Sequence, residues 1–126
     1  MESFKKKILG NILKNLNIKK GDNIYLGLDF LKLYKLLDTK TIDRNQFVEQ
    51  ILKFFLFYIG KKGNLVIPVF NFDCVLKKKF HIVKSQGQSG VLGNMLLKKY
   101  SNFRTSHPIY SFLCFGNDTK KYKKIV

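Results

Sequence analysis

Apolar residues recur at helical spacing over residues 4–16, where Phe4, Ile8, Leu9, Ile12, Leu13 and Leu16 share one face of a predicted opening helix. Gly10 weakens that helix slightly, because glycine loses most backbone freedom when it becomes helical. A turn at Gly21-Asp22 leads into a short apolar strand over 24–28. Residues 30–37, FLKLYKLL, read as a short helix. The clearest helical signal is TIDRNQFVEQILKFFLFYIG. Asp43 is placed to cap it, Gln46 three residues on completes a capping box, and Gly60 stops it. Phe47, Ile51, Phe54, Phe55 and Tyr58 form its apolar side. KKGNLVIPVF then predicts a turn and a buried strand over 64–67, ended by Pro68.

The next stretch, 71–90, is polar and aromatic without strong periodicity, and a connection of that length often carries function. A strand is expected within it at 80–83. Ser89 can cap a helix over 90–100, with Val91, Leu92, Met95 and Leu96 turned inward, and a strand over 110–115 follows. The order helix, strand, helix, strand, loop, helix, strand predicts an α/β fold: a layered sheet buried between flanking helices. Neither a repeat nor a linker divides the 126 residues, so one domain is expected.

Composition narrows the class. A hydrophobic share of 45% supports a packed core rather than a disordered chain. No apolar run reaches the roughly 20 residues of a membrane helix. The apolar part of the N-terminal stretch is broken by Gly10, Asn11, Lys14 and Asn15 and lacks a small-residue cleavage site, so it does not read as a signal peptide. Cys74 and Cys114 are far apart and have no metal-ligand spacing, and a cytoplasmic location is expected. The net charge of +16 raises nucleic-acid binding. Against it, only Arg44 and Arg104 supply the planar fork suited to bases and phosphates, and the lysines are scattered over predicted helix ends, loops and chain ends. The favoured reading is a solvated Lys-biased surface with no specific nucleic-acid partner. A Lys-rich nucleic-acid-binding domain without catalysis is the alternative.

The candidate chemistry lies in SNFRTSHPIYSFLCFG, residues 101–116. Gly-rich phosphate loops, H-E-x-x-H and C-x-x-C are all missing from the sequence. His107 precedes a proline that holds it extended, in a loop that also carries Arg104, Thr105, Ser106 and Ser111. Such a histidine can act as general acid or base, or donate to a developing oxyanion, and Arg104 offers a cationic fork to phosphate or carboxylate. The alternative is that His107 and Arg104 satisfy buried carbonyls at a strand entrance. Asp29 and Asp73 each follow a predicted strand, where α/β sheets bind ligands, although an aspartate making turn hydrogen bonds is the commoner use. His81 reads as a loop residue, and Cys114 as a small hydrophobe in an apolar strand.

Three blocks, IKKGDNIYLGLDFLKL, QILKFFLFYIGKKGNLVIPVFNF and SGVLGNMLLKKYSNFRTSHPIYSFLCFG, resemble the aminoglycoside 3-N-acetyltransferase family from about residue 18 to about residue 120. The third is the most specific: Arg104, His107, Pro108 and Ser111 fall on its R-S-x-H-P-x-x-S motif, and Gly116 on the glycine that follows. The resemblance implies the fold of that family and transfer of an acetyl group from acetyl-CoA to a sugar amine, on an aminoglycoside or a polysaccharide amino sugar. It places Arg104, Ser106, His107 and Ser111 along the acetyl-CoA cleft, with the loop after Pro68; Asp29 and Asp73 are the candidate substrate-binding residues. The departures are specific. Gly27 and Leu28 stand where the family has His and Ser, and Thr105 replaces a Ser. The family's chains are about twice as long, and their catalytic T-x-x-H-x-x-E lies in the half that has no counterpart here. The sequence is therefore expected to be the N-terminal part of such a domain, with its last strand uncovered by any helix: an inactive gene fragment, a truncated chain, or half of a split enzyme that a C-terminal partner chain or homologous subunit would complete. No metal is expected.

Overall fold

The computed structural model describes residues 3–37, 42–76 and 78–125. Among these residues five α-helices pack with a three-stranded sheet: α1 (Ser3–Asn15), α2 (Phe30–Leu36), α3 (Arg44–Ile59), α4 (Val91–Tyr100) and α5 (Thr119–Ile125), with β1 (Asn23–Tyr25), β2 (Asn64–Pro68) and β3 (Phe112–Gly116). The strand order is β1-β2-β3. β1 runs parallel to β2 with Ile24 opposite Leu65, and β3 runs antiparallel to β2 with Cys114 opposite Val66. The parallel pair requires a crossover, which α2 and α3 provide.

Side-chain alternation divides the sheet. Leu65, Ile67, Leu113 and Phe115 are buried in one core with Phe47, Ile51, Phe55 and Ile59 of α3 and Leu92 and Leu96 of α4. The opposite face carries Tyr25, Val66, Pro68, Phe112 and Cys114, and it is only partly covered. Gly93 lets α4 approach the end of β2, since a Cβ there would lie 2.5 Å from the Pro68 carbonyl oxygen. α3 and α4 are also tied by Glu49, which accepts from Tyr100 Oη at 2.7 Å and pairs with Lys99 Nζ at 3.1 Å.

Several expectations change. In α1 the inward stripe is Lys5, Leu9 and Leu13, while Ile8, Ile12 and Leu16 are solvent-exposed; the side chain of Phe4 lies outside the described residues. The 24–28 strand shortens to three residues, although Leu26 N–H still donates to Val66 O at 2.9 Å. Asp43 occupies the N-cap of α3 without a side-chain capping bond, so the capping box does not form. The buried face of α3 also includes Val48, Leu52 and Ile59. Residues 80–83 form no strand and instead enter a turn. Gly90, not Ser89, caps α4, and Val91 faces outward. The last strand starts at Phe112 instead of residue 110. Finally, a helix does follow the last strand: α5 packs beside β3, Thr119 Oγ1 donates to Cys114 O at 3.1 Å, and Cys114 is buried, although the rest of that face stays partly open.

Candidate functional site

The chemistry-bearing residues meet beyond the carboxyl end of β2 and the amino end of β3. Arg104 bridges to Leu113, Thr105 N–H donates to Phe112 O at 2.8 Å, and Thr105 Oγ1 accepts from Phe112 N–H at 2.9 Å. These contacts close residues 106–111 into a loop. The chain leaving β2 binds the loop's other side, with Val69 N–H donating to Ser111 O at 3.0 Å and Asn71 N–H to Ile109 O at 2.9 Å.

Arg104 is 0% exposed, and its guanidinium is committed to protein groups. Nε donates to Ser111 Oγ at 2.9 Å, Nη2 to Val69 O at 3.0 Å, and Nη1 to Ile82 O at 3.2 Å and also to Ser85 O. The Phe80 ring lies 4.8 Å from the guanidinium carbon. Burial pushes the Arg104 pKa down, because desolvation disfavours the cation. Ser111, also fully buried, donates its own hydroxyl hydrogen bond to Val69 O at 3.0 Å. One side chain thus joins the 106–111 loop, the β2 exit and the 80–85 turn.

His107 is half-buried, and its Nδ1 accepts from Ile109 N–H at 3.1 Å and Tyr110 N–H at 2.9 Å. Two donors on Nδ1 place the neutral ring's proton on Nε2. The neutral ring therefore offers a hydrogen-bond donor at Nε2. His81 repeats the arrangement, with Nδ1 accepting from Val83 N–H at 3.3 Å and Lys84 N–H at 3.2 Å, but it is exposed. From His107 an aromatic row crosses the open sheet face: Tyr110 at 5.5 Å, then Phe70 at 5.3 Å, Phe112 at 5.2 Å and Tyr25 at 5.8 Å.

The other candidates lie close by in the fold. Asp29 caps α2, its Oδ1 accepting from Lys32 N–H at 3.1 Å, and so anchors the turn that carries Gly27 and Leu28. Those two residues line a narrow cleft of about 30 Å³ with Pro68, Ser89, Gly90 and Gly93, at the carboxyl ends of β1 and β2 and the start of α4. Asp73 accepts from Asn71 Nδ2 and Gln88 Nε2, each at 3.3 Å, within a network that orders the 71–90 connection. Ser106 is exposed at the loop's start. Sequence reading passed over Asn71, Ser85 and Gln88, whose importance lies in main-chain partners that residue type does not reveal. Among the described residues, no group of three or more His, Cys, Asp or Glu side chains is placed to hold a metal ion. No helix among them is long and apolar enough to cross a membrane.

The arrangement is that of a mixed three-stranded sheet flanked by helices. It matches aminoglycoside acetyltransferase AAC(3)-IVa as apoenzyme, with TM-score 0.66 and 18% identity over 94% of this chain and 43% of that one. The structure of AAC-VIa bound to sisomicin aligns with TM-score 0.63 and 14% identity over 92% of this chain and 47% of that one. The YokD protein from Bacillus subtilis aligns with TM-score 0.61 and 16% identity over 92% of this chain and 51% of that one. This chain thus has the fold of part of the aminoglycoside acetyltransferases and spans about half the length of the solved structures it matches. No protein-family model and no curated protein matches it.

Proposed function

We propose that residues 1–126 are one part of an acetyl-CoA-dependent N-acetyltransferase that acts on a sugar amine, an aminoglycoside or a polysaccharide amino sugar. The observation that carries this reading is the pinned 106–111 loop, which presents the Nε2–H of His107 at the strand ends of an acetyltransferase-like sheet. In the reaction the amine nitrogen attacks the thioester carbonyl carbon, the carbonyl oxygen becomes an oxyanion, and the C–S bond breaks to release CoA thiolate. The nitrogen's proton must pass to a base. His107 suits the role of oxyanion donor, because its Nδ1 is occupied by main-chain donors and its Nε2 carries the proton.

Ser106 and His107 are the proposed contacts to acetyl-CoA. Arg104 and Ser111 act through them as positioning residues, since both are buried and hydrogen-bonded to protein. Asp29 and Asp73 serve the acceptor side by shaping the cleft and the 71–90 connection. The general base is assigned to the portion of the acetyltransferase fold that residues 1–126 do not span.

The test is calorimetric titration of acetyl-CoA into the chain at about 0.2 M salt, where non-specific attraction to its positive surface is screened. Saturable binding, weakened at least tenfold in His107→Ala and not matched by 3′,5′-ADP, supports the reading. Absence of saturable binding at millimolar acetyl-CoA, or equal binding of 3′,5′-ADP, counts against it. Preferential, structure-dependent binding of nucleic acid across a salt series would favour the Lys-rich binding domain instead.

A further inference from the structure

A second site, which shares no lining residue with the 106–111 loop, lies between α1 and α3. A cavity of about 440 Å³ opens there, lined by Lys6 of α1 and by Gln50, Lys53, Phe54 and Phe57 of α3. Its size falls within the range of small-molecule pockets. Phe57 at its rim is 83% exposed, the most exposed large apolar side chain among the described residues. Leaving a phenyl ring in water forfeits the burial free energy that elsewhere in α3 holds Phe47 and Phe55 in the core.

Both ionisable groups in its lining are lysines, and they come from different helices. Among the described residues of the lining the charges are two cations beside an aromatic wall, which complements a ligand with a negative head and an apolar body.

We propose that this groove binds a monomeric anionic amphiphile, an acyl carboxylate, with its head between Lys6 and Lys53 and its chain along Phe54 and Phe57. Neither the acetyl-transfer reading nor its site enters this assignment, and failure of one leaves the other standing. The lysine pair supplies charge-assisted hydrogen bonds to the carboxylate, and the rings bury methylene groups.

The test titrates the full chain with decanoate and with methyl decanoate below their aggregation limits, at about 0.2 M salt so that general attraction is screened. One-to-one saturable binding of decanoate, at least tenfold weaker for the ester, is expected. The double variant Lys6→Gln/Lys53→Gln should lose at least tenfold in affinity. Lys61→Gln/Lys62→Gln, which removes two lysines outside the cavity, should stay within twofold of the parent. Phe57→Ser, at an exposed position that folding does not depend on, should weaken decanoate severalfold. The proposal is overturned if decanoate shows no saturation, if the ester binds equally well, or if the two double-lysine variants lose affinity alike.

Discussion

Arg104 Nε donates to Ser111 Oγ at 2.9 Å, and that hydroxyl donates onward to Val69 O at 3.0 Å. This two-step relay lies in the core, where neither group meets water. It couples the first strand-like residue before the loop to the last residue within it. Losing either partner strands a buried polar group, which costs more than the bond itself contributes.

Arg104→Lys keeps the charge but cannot reproduce the fork that reaches Ser111, Val69, Ile82 and Ser85 together. A loss of about 2–4 kcal/mol is expected, and Ser111→Ala should lose about 1–3 kcal/mol. The double variant should lose less than the sum, because the two residues share one network. Urea denaturation measures all three. An Arg104→Lys chain as stable as the parent would mean that the guanidinium does not pin the loop.

Glu49 links α3 to α4 and sets an acid limit. Burial alone would raise its pKa, but the hydrogen bonds from Tyr100 and Lys99, with the charges of Lys99 and Lys53, outweigh it and hold the carboxyl below its usual range. A depressed carboxylate contributes stability above its unfolded pKa, near 4.3, and that contribution is lost as pH falls through the lower folded value. Glu49→Gln should therefore flatten the stability profile below about pH 5, and the parent should lose more stability than the variant on acidification. The difference should stay below about 1 kcal/mol, because Lys99 is largely solvated and Glu49 itself is 24% exposed. A variant that loses as much as the parent between pH 5 and 3 would exclude this pair as an acid-sensitive contact.

Cys114 is itself buried beside α5 on the otherwise partly open sheet face, and burial pushes its thiol up to about 11. The thiolate is the reactive form, so native Cys114 should resist alkylation near neutral pH. In a Cys74→Ser chain, labelling should proceed only at the rate of unfolding or of local opening at α5. Labelling of the native chain at the rate of a free thiol would show that α5 does not shield Cys114.

Much of this architecture can be read from residue patterns. α3 follows its apolar spacing, and Gly60 ends it with φ of 74°, a conformation open to glycine. Other features fail for physical reasons. The segment TKKYKKI has too few apolar positions to show a helical period, so α5 and its packing beside β3 go unseen. Phe80–Val83 is apolar enough for a strand, yet it wraps Arg104: the Phe80 ring packs on the guanidinium and Ile82 O accepts from it. The crowding of Arg104, Ser106, His107 and Ser111 is visible in the sequence, but the partners of Arg104 and His107 are largely main-chain groups, which every residue carries. Sequence therefore locates the loop without revealing which polar groups hold it and which are offered outward.

His107 supplies the sharpest separation between holding and offering. Its Nδ1 shapes the turn through Ile109 and Tyr110, while its Nε2–H is the group assigned to the acyl oxyanion. In the neutral state, long-range ¹⁵N–¹H spectra should show the Nε2–H tautomer for His107, and the same for His81, whose Nδ1 also accepts two main-chain donors. His107→Asn keeps a side-chain oxygen able to accept from the turn's N–H groups, so its stability should stay within about 1 kcal/mol of the parent. His107→Ala loses that acceptor and should cost about 1–2 kcal/mol. Both lack the Nε2 donor, so under the proposed function both should lose acetyl-CoA affinity alike. If Asn restored function along with stability, His107 would be a turn residue only, and the oxyanion donor would have to be sought elsewhere.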